Sequence, residues 1–136
     1  MAAKPQSALD AAALTELERR IVERLVSELR DELGKDLRAV WLYGSRARGD
    51  AILDHADVDR KSDVDLMVLA EGGRARHGQK AFDLAYAIAK AEGDSPVWYS
   101  VFVADPDWLR GRRQIRSFFV QEVDRDKIVL AGSALA

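Results

Sequence analysis

Two closely spaced pairs of aspartates are the residues of this chain best suited to bind a metal ion. The tripeptide Asp-Val-Asp occurs at residues 57–59 and again at residues 63–65. Side chains two positions apart on a strand point to the same face, roughly 6.5–7 Å from each other. Two carboxylates placed in this way can bind one magnesium ion or bridge two, and they repel each other when no cation is present. Both pairs are therefore candidate metal sites.

The residues that follow each pair distinguish the two candidates. Asp63 and Asp65 lead directly into residues 66–69, an apolar run that predicts a strand able to fix their positions. The earlier pair leads into residues 60–62, Arg-Lys-Ser, which predict a solvated loop with weak local ion pairing. Because a metal site needs ligands held on rigid elements, we assign the metal-binding role to Asp63 and Asp65.

A second candidate site is the turn within WLYGSRARGD, residues 41–50. Gly44 follows an apolar run and tolerates backbone angles that a side chain would resist, so the amides of the turn can point together around phosphate oxygens. Ser45 adds a hydroxyl, and Arg46 and Arg48 add guanidinium groups suited to phosphate. The segment lacks the patterns of a Walker loop and of a dinucleotide-binding fold. Taken alone, it is more typical of an ordinary turn.

The spacing of apolar residues predicts the elements that must position these side chains. Apolar residues recur every three or four positions over residues 7–33, which indicates a long amphipathic N-terminal helix. Further helices are predicted at residues 79–92 and from residue 105, capped by Asp105 or Asp107, towards residue 123. Strands are predicted at residues 37–43, 64–70, 97–103 and 127–132. Residues 44–62 and 71–78 are predicted to be a loop and a turn, and the last four residues are predicted to fray.

Composition and element order indicate one globular α/β domain. The 136 residues are 48% apolar and 32% charged, which fits a single domain over residues 1–136. The order α-β-β-α-β-α-β predicts a small mixed β-sheet packed with helices, an α+β arrangement. The chain has no cysteine, which excludes disulfides and thiolate metal sites. The charged N-terminus and the absence of a membrane-length apolar run predict a cytoplasmic protein without membrane contact.

The order strand, Gly-Ser turn, basic loop and Asp-x-Asp strand resembles the polymerase-β-like nucleotidyltransferase superfamily, and in particular its minimal nucleotidyltransferases. The matching residues are Gly44-Ser45 in LYGSRARGD and residues 63–66 in SDVDLMVL. The leading helix and the segments VWYSVFVADPDW and FFVQEVDRDKIVL are also similar to that family. The resemblance therefore extends over most of the chain and implies the superfamily's fold.

The resemblance also implies an activity. Gly44 and Ser45, with Arg46 and Arg48 beside them, would bind the triphosphate of ATP or another nucleoside triphosphate. Asp63 and Asp65 would be the catalytic pair and would bind two Mg²⁺ ions. The reaction would transfer a nucleoside monophosphate, AMP from ATP, to a hydroxyl of a macromolecule. Minimal nucleotidyltransferases often act with a helical HEPN-type protein, sometimes as antitoxins that transfer AMP to the toxin.

The first departure from the family pattern lies in the loop. Seventeen residues, 46–62, separate Gly44-Ser45 from Asp63, more than the family usually has. The surplus falls in AILDHADVDRK, residues 51–61, which we interpret as an inserted excursion. A rival alignment gives Asp57 and Asp59 the metal-binding role at a more typical spacing, but no apolar strand anchors them.

The second departure concerns a third carboxylate, which active relatives usually carry on a later strand facing the acidic pair. The corresponding strand here is VWYSVFV, and Ser100 occupies the expected place. Catalysis then proceeds without this base, or a neighbouring group replaces it, or the protein is a non-catalytic module that binds nucleotide and neutralises a partner protein. Four arginines at residues 110–116 could contact RNA, although a solvated helix face is the more typical role of such a run.

Overall fold

The computed structural model describes residues 9–49 and 62–136. The helices of this part of the chain are α1 (Glu16–Leu33), α2 (Ser45–Arg48), α3 (Gly73–Ala91), α4 (Pro106–Gln114) and α5 (Phe118–Asp126). Its strands are β1 (Leu37–Tyr43), β2 (Val64–Ala70), β3 (Tyr99–Ala104) and β4 (Ile128–Gly132). Short 3₁₀ turns precede β1 and β3. The bounds of β1 and β2 coincide with the predicted ones.

The strands form one mixed sheet in the order β3-β2-β1-β4. β1 pairs antiparallel with both β2 and β4, whereas β2 and β3 are parallel and are connected through α3. A parallel pair requires such a crossover, because the chain must return to the starting end of the sheet. This mixed sheet with packed helices confirms the predicted α+β class.

Helices cover both faces of the sheet, because its central strands are apolar on both sides. Val40, Leu42, Leu66 and Val68 pack against α1 and α3. The alternate residues Ala39, Trp41, Met67 and Leu69 pack against Leu109 of α4 and against Val120 and Val123 of α5. Two buried clusters on opposite faces therefore hold β1 and β2 in place.

The N-terminal helix begins later than the predicted residue 7. Thr15 Oγ1 accepts a hydrogen bond from the Glu18 amide, and Glu18 Oε1 accepts one from the Thr15 amide, so this capping box fixes the start of α1. Residues 9–11 form a 3₁₀ turn, and residues 7 and 8 lie outside the described residues. The apolar pattern continues upstream because Leu9 also packs into the core without being part of α1.

Two other boundaries differ from the predicted ones because of backbone geometry. α3 begins at Gly73, not at residue 79, because Gly72 and Gly73 both adopt positive φ and turn the chain before the helix starts. The single helix predicted from residue 105 towards 123 is divided into α4 and α5, since Arg116 has a φ of 54°. The predicted cap at Asp105 is confirmed by a 2.7 Å hydrogen bond from the Trp108 amide.

The predicted loop 44–62 contains the short helix α2 directly after Gly44. Asp57, Asp59 and the proposed excursion at residues 51–61 lie outside the described residues. Over residues 9–49 and 62–136, no helix has the length and apolarity that a membrane span requires.

Candidate active site

The Gly-Ser turn and the second aspartate pair meet at one end of the sheet. Tyr43, the last residue of β1, pairs with Asp65 of β2, so Gly44 leaves the sheet beside the Asp65 side chain. A Cβ atom added at Gly44 would lie 2.7 Å from Asp65 Oδ2, and the φ of Gly44 is 75°. A side chain at residue 44 would therefore displace the carboxylate as well as strain the backbone. The turn and the acidic pair form one site.

The surroundings of Asp65 oppose its negative charge. Its half-buried position and the neighbouring Asp63 carboxylate raise the pKa of Asp65 to about 6, against weaker opposing effects of Arg46 and Arg48. Burial, followed by the charge of Asp65, raises the pKa of the adjacent Tyr43 to about 12. Asp63 lies one residue before β2 and is exposed. The site therefore presents one accessible carboxylate and one partly desolvated carboxylate.

Ser100 lies beside Asp65 on the neighbouring strand, as register pairing of β2 with β3 shows. Tyr43, Asp65 and Ser100 lie in one row across the three strands and point to the same face of the sheet. The residues two positions along each strand, Trp41, Met67 and Phe102, point to that face too and pack under α4 and α5. Among residues 9–49 and 62–136, no group of three or more His, Cys, Asp or Glu side chains is arranged to hold a metal ion.

Ser45 and Arg48 lie on the turn that follows β1. Ser45 is the first residue of α2, where the amides of Ala47 and Arg48 already donate to the Gly44 carbonyl. Arg48 is partly exposed, and its Nη1 lies 3.5 Å from Asp126 Oδ2 of α5. Arg48 and Gly44 also line a small cavity of about 110 Å³ against α5. Both predicted phosphate-binding side chains are thus next to the acidic pair.

Arg46 is placed differently from the other predicted nucleotide-binding residues. Its guanidinium is fully buried and binds the equally buried Glu18 through two hydrogen bonds of 2.6 and 2.8 Å. It also donates to the carbonyl oxygens of Ala13 and Ser62. Arg46 therefore joins the turn to the start of α1 and to the residue before Asp63. This is a positioning role, and the buried guanidinium offers no surface for phosphate.

Comparison with solved structures identifies the fold. A variant of the toxin–antitoxin complex MntA–HpeT matches with a TM-score of 0.50 and 23% identity, over 82% of this chain and 72% of that chain. The chain shares its fold with that structure. No family model and no curated protein matches the chain.

Two further solved structures are similar to the chain. One is a toxin–antitoxin with AMP-PNP, with a TM-score of 0.49 and 23% identity over 82% of this chain and 73% of that chain. The other is a tri-AMPylated Shewanella oneidensis HEPN toxin in complex with an MNT antitoxin, with a TM-score of 0.45 and 19% identity over 84% of this chain and 72% of that chain.

The donor atoms of the site fit a divalent cation of the magnesium type. Asp63 and Asp65 offer carboxylate oxygens, which are the ligands that Mg²⁺ prefers in proteins. Their mutual repulsion contributes to the raised pKa of Asp65, and a bound cation would relieve it. A cation bound between the two carboxylates would therefore offset their negative charge.

Sequence reasoning missed two residues of this site. Glu18 was not predicted as a site residue, yet it is buried against Arg46. The pattern Thr-x-x-Glu at residues 15–18 was an available signal for its place at the helix start. Tyr43 was treated only as part of a strand, although it immediately precedes Gly44 and pairs with Asp65.

Proposed function

We propose that this protein is a magnesium-dependent nucleotidyltransferase. It transfers a nucleoside monophosphate, AMP from ATP, to a hydroxyl of a protein partner. The acceptor we favour is a helical HEPN-type toxin that the protein neutralises as an antitoxin. The contact between Gly44 and the Asp65 carboxylate carries the proposal, because it joins the phosphate-binding turn to the metal-binding pair.

The fold supports this choice of reaction and partner. The structural relative with a TM-score of 0.50 is part of a toxin–antitoxin complex. The resemblance of Gly44-Ser45 and Asp63-Val64-Asp65 to the family motif implies nucleotidyl transfer with two metal ions. Nucleotidyl transfer depends mainly on positioning and charge neutralisation, which a rigid turn beside an acidic pair can provide.

The residues of the chain have separate roles in the proposed reaction. The backbone at Gly44 and the hydroxyl of Ser45 hold the triphosphate, and Arg48 offsets its charge. Asp63 and Asp65 would hold Mg²⁺, which would supply charge neutralisation at the α-phosphate and at the pyrophosphate leaving group. The buried pair of Glu18 and Arg46 keeps the turn in place. The acceptor oxygen forms a bond to the α-phosphorus while the bond from the α-phosphorus to pyrophosphate breaks, pyrophosphate leaves, and the proton of the hydroxyl passes to water.

A non-catalytic module is the second candidate, and Ser100 is the observation that favours it. Ser100 lies in register with Asp65, where a third carboxylate would face the pair. A serine hydroxyl is a poor general base, so deprotonation of the acceptor would lack a dedicated group. In this alternative the protein binds nucleotide and neutralises its partner by forming a complex.

Intact-mass analysis of both proteins distinguishes the two functions. The protein is incubated with Mg²⁺, each nucleoside triphosphate in turn and the protein encoded by the neighbouring gene. We expect the partner to gain the mass of AMP when ATP is present. Asp63→Asn should lower the transfer rate by at least about a hundredfold, as should Gly44→Ala, whose new methyl group displaces the Asp65 carboxylate.

The matched controls are Asp107→Asn and Gly49→Ala. Asp107 is an exposed acid of α4, and Gly49 also has a positive φ but nothing within 4 Å of an added Cβ. Gly49→Ala therefore separates backbone strain from the contact with Asp65. A stable complex without any adduct, unchanged in Asp63→Asn, would establish the non-catalytic module instead.

A further inference from the structure

A groove follows the outer edge of β3, next to the acidic pair. Its first part, about 670 Å³, is lined by Asp63, by Phe82 and Tyr86 of α3 and by residues 95–97 and 99–101. Its second part, about 530 Å³, continues along residues 101–103 and shares Phe82 and Val101 with the first. Successive residues of a strand point to opposite faces of the sheet. Because consecutive residues of β3 line the groove, the groove follows the edge of the strand and not one face.

The edge of β3 lacks the features that usually protect an edge strand. β3 is the last strand in the sheet order, so its outer edge has no strand neighbour among residues 9–49 and 62–136. Its sequence, YSVFVA, contains neither a charged residue nor a proline. Natural sheets generally protect a free edge with one of these, because unpaired backbone groups bind other strands. The β3 edge is therefore competent to pair with an added strand.

Large apolar side chains stand exposed beside this edge. Phe82 is 59% exposed, Tyr86 47% and Val97 71%. Contiguous apolar groups of this size on a protein surface indicate an interaction site. The groove thus combines an open strand edge with apolar side chains that an incoming segment can cover.

The groove lies on the side of the site from which the acceptor must approach. The Gly44 turn follows β1 on one side of Asp65, and Ser100 and the groove lie on the other side, at β3. In nucleotidyl transfer the attacking and leaving oxygens lie roughly in line at the phosphorus. If Gly44 holds the departing phosphates, the acceptor hydroxyl enters from the β3 side.

The charges of the groove select the class of acceptor. The residues that line it include one carboxylate, Asp63, and one guanidinium, Arg74, at the opposite end. A nucleic-acid strand would need several cations to neutralise its phosphates. A polypeptide of apolar side chains needs none, and its backbone can pair with the open strand edge.

We propose that the outer edge of β3 binds an extended, apolar segment of the acceptor polypeptide as an added strand, which delivers its hydroxyl to Asp63 and Asp65. This inference rests on the proposed nucleotidyl transfer to a protein. It adds the place and the conformation in which the acceptor binds.

Steady-state kinetics with the protein encoded by the neighbouring gene as acceptor tests the groove. We expect Phe82→Ser and Val97→Ser each to raise the KM for that acceptor about tenfold, with kcat within twofold and the affinity for ATP unchanged. The matched controls are Phe118→Ser and Ile115→Ser, because these residues are 82% and 69% exposed and lie outside the groove. All four side chains are largely exposed, so each variant should fold. Equal effects in the groove and control variants would overturn the inference and leave the proposed function standing.

Hydrogen exchange provides a measurement that does not depend on turnover. The intact acceptor, added to Asp63→Asn protein in EDTA, should protect those amides of residues 99–104 that point away from β2. Protection there, in a protein that transfers nothing, would refute the proposed function and still support the β3 edge as the place where the acceptor segment binds. No protection would overturn the inference. So would protection that appears without acceptor and grows with protein concentration, because the edge would then pair with a second copy of the chain.

Discussion

The Asp65 carboxylate is held where its charge costs free energy until a cation arrives. It is half-buried, pressed against Gly44 and next to Asp63. These surroundings favour its protonated form, so the same features that would create affinity for Mg²⁺ oppose folding of the metal-free protein. At the scale of the residue, the proposed metal site would lower the stability of the metal-free protein in exchange for affinity for a cation.

The stability of the metal-free protein should fall as the pH rises through this carboxylate's titration. The folded-state pKa is about 6 and the ordinary value is about 4, so between these values the folded state binds more protons than the unfolded state. The free energy of unfolding therefore decreases from pH 4 to 6, and the loss persists above pH 6. In EDTA at pH 8, Asp65→Asn should raise the free energy of unfolding by about 1 kcal/mol, a value reduced to allow for the partial exposure of the side chain. At pH 4 the substitution should bring no gain.

Urea unfolding at a series of pH values measures this effect. Asp107→Asn is the control for loss of a negative charge, because that side chain is exposed on α4. Mg²⁺ should raise the melting temperature of the wild-type protein and leave that of Asp65→Asn almost unchanged. Stability that is equal in Asp65→Asn and wild type at pH 8 would contradict this account of Asp65.

At the scale of the element, α1 is fastened to the active-site turn by a buried ion pair. Both oxygens of Glu18 accept from Arg46, which directly follows Gly44-Ser45, and the two side chains are fully buried. The same guanidinium donates to Ser62, next to Asp63. One interaction therefore fixes the start of α1, the turn and the approach to β2.

Breaking this pair on one side should cost more than removing an exposed pair. Glu18→Ala leaves a buried guanidinium without its counter-charge, so we expect the free energy of unfolding to fall by about 3–5 kcal/mol. Glu28→Ala removes the partner of Arg24 on the exposed side of α1 and should cost less than about 0.5 kcal/mol. Chemical denaturation compares the two variants. A similar cost for both would show that the buried pair does not anchor α1.

Elements were predictable where one stretch of sequence determines them. The apolar runs of β1 and β2 specify these strands locally, and their predicted bounds agree with the structure. The pairing of Glu18 with Arg46 joins residues 28 apart, and neither local pattern nor periodicity reveals it. The split between α4 and α5 depends on a positive φ at Arg116. Arginine rarely adopts this conformation, so the sequence gives no sign of it. The functional roles of Asp63, Asp65 and Ser45 stay predictions.

At the scale of the whole molecule, the C-terminal segment closes the core between the sheet and α4 and α5. Residues 133–136 were predicted to fray, but Trp41 Nε1 donates to the Ser133 carbonyl at 2.8 Å. Arg113 of α4 donates to the Ala134 and Leu135 carbonyls and binds Asp124 of α5 through two hydrogen bonds. The basic run at residues 110–116 therefore contains a structural arginine that ties α4, α5 and the segment together.

Removing this arginine should loosen three parts of the molecule at once. Arg113→Ala deletes the partner of Asp124 and of two backbone carbonyls, so the free energy of unfolding should fall by about 1–3 kcal/mol. Arg110→Ala is the matched control, since Arg110 is 65% exposed and pairs with an exposed Asp107. Its cost should stay below about 0.5 kcal/mol. Thermal unfolding that ranks the two variants equally would refute this role of Arg113.

The position of β1 between β2 and β4 has a consequence for synthesis of the protein. β4 (Ile128–Gly132) pairs with β1 (Leu37–Tyr43), so most of the chain must leave the ribosome before the second edge of β1 is occupied. Until then, a nascent chain that has already paired β1 with β2 exposes a long apolar strand to its neighbours, and such an edge recruits other chains. During this interval β1 adds an unpaired apolar edge to the open β3 edge of the finished fold, so the nascent chain is the form most exposed to aggregation.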